Sequence, residues 1–384
     1  MSAPQTALEV RLLESIAEVP EATWNGLLAP DSSPFLEWAW LEALEQAGCV
    51  TAERGWLPRH LTVWRGEELV AAVPAYIKGN SEGEFVFDHQ WAAVAQRHFR
   101  VRWYPKLIFA VPFTPATGDR VLVAPDLDRD VLRALIADVT PKLADTLELS
   151  SAHLLFPRAD EQDVFVARNW IRRHGVQYHW SNDGFRTFED FLATLPSKKR
   201  TQIRRERRGV RDAGIVVETR RGDAIDEETI AAAYTFYLST VDKFAWGRRY
   251  LNERFFRLIA ERWAKDRLEI VVAREGSRLL AGAINIRKND RLYGRYWGGI
   301  EERPFLHFEV CFYHSIDEAI AQGIKVFEPG AGGEHKRARG FRPTLTNSAH
   351  WVADTRLRDT LADYCNREAE YLERVVSGEV DEEV

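Results

Sequence analysis

The sequence predicts a mixed α/β (α+β) protein built as two related lobes, each a mostly antiparallel sheet flanked by helices. Three observations carry this. A strand-turn-strand pattern occurs twice, an amphipathic helical stretch precedes each copy, and 384 residues exceed what one hydrophobic core usually serves. The first copy is His60-Leu-Thr-Val-Trp-Arg-Gly-Glu-Glu-Leu-Val-Ala-Ala-Val-Pro-Ala-Tyr-Ile-Lys78, two strands turning at Gly66. The second, 269–287, turns at Gly276. A third, aromatic strand is expected after each, over 84–91 and 291–298.

Aromatic anchors at helical spacing predict helices over 34–47 and 250–264, upstream of the two meanders. Downstream of the second, 308–322 reads as a helix stopped by Gly323, and 324–328 as a buried strand. The turn cluster Ser181-Asn-Asp-Gly184 is the expected boundary, giving lobes of 1–183 and 184–384, the second carrying the active site. Four acids in 377–384 suggest a frayed end.

A net charge of -6 gives no global signal for nucleic acid. Cys49, Cys311 and Cys365 are odd in number and widely spaced, as in a reducing cytosol rather than a secreted scaffold. No stretch approaches the roughly 18 apolar residues of a spanning helix, and 1–18 lacks the pattern of a secretory signal. A cytoplasmic protein without stable membrane insertion is expected; its oligomeric state is not legible.

Two clusters stand out chemically. In 198–211, Lys-Lys-Arg-Thr-Gln-Ile-Arg-Arg-Glu-Arg-Arg-Gly-Val-Arg, eight of fourteen residues are basic. Pro196 and Ser197 start a helix there, with Ser197 as N-cap, and Gly214 stops it. Arg200, Arg204, Arg207, Arg208 and Arg211 recur at three- and four-residue steps, one face suited to phosphate; the bland alternative is a solvated helix paired with acids.

The second cluster runs from Tyr293 to Arg342. It contains the aromatic strand Tyr293-Gly-Arg-Tyr-Trp-Gly-Gly299, the helix entry Pro304-Phe-Leu-His-Phe-Glu-Val-Cys-Phe-Tyr-His314, and the loop Phe327-Glu-Pro-Gly-Ala-Gly-Gly-Glu-His-Lys-Arg-Ala-Arg-Gly-Phe341. Ligands gather at the carboxyl ends of strands, and the loop's four glycines permit positive φ and exposed amides. Acyl transfer to an amine needs a base, oxyanion donors and aligned substrates. Glu309, Glu328, Glu334, His307 and His335 are candidate bases, with Glu328 and His335 favoured because both flank the loop. Tyr296 or Tyr313 would return a proton to the leaving group. Arg200, Arg204, Arg208, Arg295, Trp297, His307, Gly330, Gly332, Gly333, Lys336 and Arg339 are candidate donor- or substrate-binding residues. His307, Cys311 and His314 have zinc-compatible spacing, but the apolar residues between them favour core packing, so no metal is expected.

The strings 293–298, 306–311, 327–330, 333–336 and 339–341, with Phe87-Asp-His-Gln-Trp91, Tyr104-Pro-Lys106, Val111-Pro-Phe-Thr-Pro115 and Thr117-Gly118 in the first lobe, resemble the bacterial FemAB-like peptidoglycan biosynthesis/recognition family of GNAT-type acyltransferases. The resemblance covers nearly the whole chain. It implies tandem GNAT-like (acyl-CoA N-acyltransferase) domains and transfer of an acyl or aminoacyl group to an amine, as in peptidoglycan-precursor metabolism. Acyl-CoA and aminoacyl-tRNA are the implied donors, and a peptidoglycan precursor or another small molecule the acceptor, with tRNA a candidate partner. The stretch 300–307 lacks the glycine pattern that grips coenzyme A in ordinary GNAT enzymes, which leaves the donor open. That departure also motivates an alternative, a degenerate GNAT pair that binds peptidoglycan fragments or an acidic partner without chemistry, marked by an aromatic groove around Trp91 and Trp297.

Overall fold

The computed structural model describes residues 7–243, 248–263 and 265–379, and of Glu334 the backbone only. The chain divides into two compact units, Met1–Val176 with Leu345–Val384, and Gln177–Thr344.

The first unit opens with strands β1 (Leu8–Leu13), β2 (Trp56–Pro58), β3 (His60–Arg65), β4 (Glu68–Val73), β5 (Ala75–Lys78), β6 (Lys106–Phe109), β7 (Leu122–Val123) and β8 (Ser151–Leu155). Its helices there are α1 (Glu21–Asn25), α2 (Trp38–Gln46), α3 (His89–Val94), α4 (Arg129–Thr146) and α5 (Ala159–Val166). The strands form two sheets, β1-β3-β4-β7 and a second in which β2, β5, β6 and β8 are neighbours in that order. The repeated meander is thus only partly realised here. Pro74 has no N–H for a ladder, and the chain leaves one sheet for the other at that point. Nor is 84–91 a strand. Phe85 has φ +59, and Glu84 and Asp88 are drawn inward to the buried ammonium of Lys106, at 2.8 and 2.5 Å, before α3 begins.

Strand β9 (Ile171–Ser181) leads to the second unit, with α6 (Phe188–Ala193), α7 (Ser197–Asp212), β10 (Ile215–Arg220), α8 (Glu227–Val241), α9 (Glu253–Trp263), β11 (Leu268–Glu275), β12 (Arg278–Lys288) and β13 (Arg291–Gly299). Then come α10 (Leu306–Phe308), a π-helical stretch Glu309–Tyr313, α11 (His314–Ala321) and β14 (Val326–Glu328). The second meander is β11, β12 and β13, antiparallel throughout, and β14 joins β13 in parallel. Helix α8 settles closely on one face because Gly282 and Gly298 lie beneath it. A Cβ there would come within 2.2 Å of the Phe236 ring and 1.9 Å of its carbonyl oxygen. Val310 and Leu306 of the 306–321 helical run cover the other face, in one core with Val271, Ala281 and Ala283.

The chain closes with β15 (Arg342–Val352) and α12 (Thr355–Ser377). The sequence assigns 345–384 to the second lobe, whereas these residues cluster with the first unit. Register explains it: β15 pairs with β8, His350 opposite His153, and Leu357, Leu361 and Cys365 of α12 share a core with Trp91, Trp103 and Ile171. Helix α12 extends through Ser377, and 380–384 of the expected frayed end lie outside the described residues.

Candidate active site

Strands β13 and β14 share only three pairs, the last Tyr293 with Glu328. Beyond it β13 runs on to Gly299, while the chain after Glu328 turns away through Pro329 and Gly330, φ +87. The backbones splay, and a cleft of about 250 Å³ opens between Gly294–Trp297 and 329–336. Past that pair the two strands share no further ladder contact. A bulge at Arg295, where the register steps from Ile284 opposite Tyr296 to Asn285 opposite Gly294, bends β13 beside the cleft.

Ala283, Asn285 and Trp297 form the floor; His307, Cys311 and Phe312 come from the helical run, His335 and Lys336 from the glycine loop. The two imidazoles have ring centroids 5.9 Å apart, and His307 lies 4.8 Å from Trp297. Burial, reinforced by His335 and the neighbouring cations, lowers the pKa of His307 to about 4. Burial followed by Lys336 and Arg339 also lowers that of His335, which is the more exposed ring. Both are therefore neutral, with a free lone pair, at pH 7. Burial lowers the Lys336 ammonium to about 8, and it donates to the carbonyls of Gly330 at 2.7 Å and Ala331 at 3.3 Å. Burial raises the Cys311 thiol well above its ordinary value, so it is no ready nucleophile. Gly332 and Gly333, at φ +71 and +97, line the cleft where any other residue would strain the backbone.

The remaining expected residues divide sharply. Arg295 lines the cleft, its pKa lowered by burial. Tyr296 contributes to the wall, but its ring packs edge-on against Tyr237 at 5.2 Å. Glu328 is buried outside the lining and ion-paired to Arg291 at 2.9 Å, with its Oε2 lacking a hydrogen bond. Glu309 faces away toward α7, where Arg207 holds it at 3.1 Å. The side chain of Glu334 lies outside the described residues. Tyr313 donates to Glu206 and accepts from Arg339, and it too lies outside the lining. Arg339 is a buried strut: it donates to the Tyr313 hydroxyl at 3.0 Å and the His335 carbonyl at 2.8 Å, beneath the Phe308 ring.

Helix α7 is capped by Pro196 rather than Ser197, with no side-chain cap bond. Its buried face is Ile203, Glu206 and Val210. None of Arg200, Arg204 and Arg208 lines the cleft. Arg200 donates to the Leu195 carbonyl at 2.8 Å, Arg204 pairs with Glu189 at 2.5 Å, and Arg208 is exposed. Of the zinc-spaced trio, His314 turns away to bond Thr219 at 2.9 Å, and the described residues contain no metal-binding group of three or more His, Cys, Asp or Glu. Asn285 escaped the sequence analysis; its signal is a lone amide within the apolar run Leu279-Leu-Ala-Gly-Ala-Ile-Asn-Ile286.

Comparison with known proteins agrees with this architecture. The FemAB-like family model, described as peptidoglycan biosynthesis/recognition, matches residues 15–382. No curated protein matches. Among solved structures, FemX superposes with a TM-score of 0.53 at 12% identity, over 92% of this chain and all of that one. The C-terminal domain of a putative lysylphosphatidylglycerol synthetase from Agrobacterium fabrum gives 0.54 at 12% identity, over 96% of this chain and all of that one. L-PGS from Bacillus licheniformis gives 0.50 at 9% identity, over 84% and 95%. At such identities the likeness is one of fold. No helix among the described residues is long and apolar enough to cross a membrane. A family match over almost the whole length, joined to the shared fold, places this chain in the FemAB-like peptidoglycan biosynthesis/recognition family.

Proposed function

We propose that the second unit binds an activated acyl donor, an acyl-CoA or aminoacyl-tRNA, with its carbonyl in the β13–β14 wedge, and transfers the acyl group to an amine of a peptidoglycan precursor in the cytosol. The wedge carries this reading: where β13 and β14 part, two neutral imidazoles and a buried ammonium line one cleft. The amine nitrogen attacks the carbonyl carbon and the bond to the sulfur or oxygen leaving group breaks. His335, open to solvent, takes the amine's proton, and Lys336 returns a proton to the leaving group. The bulged β13 edge supports the developing oxyanion. Cys311 takes no part, so transfer is direct.

The test is single-turnover transfer from each donor to a muropeptide amine. His335→Gln should slow it by about 10²–10⁴-fold with the protein still folded; unchanged turnover rejects the assignment. One observation favours the binding-module alternative: no described side chain lining the cleft is a carboxylate. On that reading Trp297 stacks on a ligand ring, and muropeptides bind without transfer from either donor.

A further inference from the structure

Between Asp88 and Asp119 the sequence contains no acid, yet it carries Arg97, Arg100 and Arg102. In the first unit these three line a groove of about 930 Å³, bounded by α3, the π-helical stretch Ala95–Phe99 after it, and the chain to Tyr104. Other arginines of this unit have carboxylate partners: Arg65 with Glu68, Arg133 with Asp119, Arg158 with Asp31, Arg172 with Asp163. Arg97, Arg100 and Arg102 have none among the described residues. Three like charges converging on a concavity repel one another, an arrangement that an anion relieves.

The groove's floor is held rigid from below. Trp103 Nε1 donates to Asp88 at 2.9 Å, and the Tyr104 hydroxyl bonds Ser81 at 2.7 Å. Both partners are anchored by the buried ammonium of Lys106, 2.5 Å from Asp88 and 3.1 Å from Ser81. Arg100 ends the π-helical stretch at φ +61, and such departures from regular helix gather at functional sites. The volume far exceeds a bare phosphate, and Ala92, Ala93, Val101 and Trp103 supply an apolar side.

We propose that this groove is a second ligand site, which takes a small molecule bearing a diphosphate. Arg97, Arg100 and Arg102 fork onto the phosphate oxygens, and the organic part rests on the half-buried Ala92, Ala93, Val101 and Tyr104. The site is independent of the chemistry assigned to the second unit.

Calorimetric titration of the full chain with inorganic pyrophosphate, against sodium sulfate at equal ionic strength, tests it. Saturable binding of pyrophosphate is expected, weakened about tenfold or more in Arg97→Gln/Arg100→Gln/Arg102→Gln. All three side chains are exposed, so circular dichroism should be unchanged. Arg205→Gln/Arg208→Gln on the basic helix α7 should bind as the parent does. Absence of saturable binding, equal binding by the groove variant, or binding matched by sulfate would each overturn the proposal.

Discussion

Replacing Arg339 by Gln removes the strut that fixes the glycine loop carrying His335. Its guanidinium bonds Tyr313 and the His335 carbonyl, and approaches Glu206 at 3.6 Å, with both charged side chains almost fully buried. Loss of the cation leaves the Glu206 carboxylate, among the described residues, with only Tyr313 and Gln202 as partners. Breaking a buried ion pair from one side costs about 3 kcal/mol or more. In a unit of this size that lowers the melting temperature by roughly 6–12 °C. The loop then loses its tether at His335, and about 1 Å of misplacement costs roughly 10²-fold in rate. Thermal melts and single-turnover transfer measure the two effects. Arg339→Gln with Glu206→Gln should recover much of the stability, because no carboxylate is then stranded, without recovering the rate. A single variant that melts within about 1 °C of the parent, or turns over within threefold of it, would refute the strut.

Because burial lowers the pKa of both imidazoles, each stays in its basic, unprotonated form to more acidic pH than an ordinary histidine. The acid limb of kcat/KM should therefore have its midpoint below about 6.5, the ordinary histidine value. A midpoint at or above that value rules out these histidines as the base. On the alkaline side, activity should decline above pH 8 as Lys336 loses its proton. In the first unit, Lys106→Met strands Glu84 and Asp88 and should destabilise by about 3–5 kcal/mol; a melt shifted by less than about 2 °C would show that the network is dispensable.

Much of the second unit was legible because its signals are local. The β11–β13 meander announces itself by alternation around Gly276, and Gly323 stops the helix before β14 at φ +69. The glycine loop was legible for the same reason, since Gly330, Gly332, Gly333 and Gly340 all take positive φ. Trp297, His307, His335 and Lys336 follow from their places at the ends of these elements, and all four line the cleft.

What sequence alone determined, then, is which segments of the second unit become strands and helices, where they stop, and which loop is free to bend, because those properties depend on neighbours a few residues away; in the first unit the long-range pull of Lys106 on Glu84 and Asp88 overrode the local strand pattern of 84–91. Tertiary structure decided which charges are spent on one another. Glu328 and Glu309 look like bases in the sequence, but Arg291 and Arg207, distant in the chain, claim them. Arg97, Arg100 and Arg102 carry no local signal, yet among the described residues they are left without carboxylates at a groove. A charge becomes functional or structural according to partners brought by long-range packing, and local periodicity carries no record of that pairing.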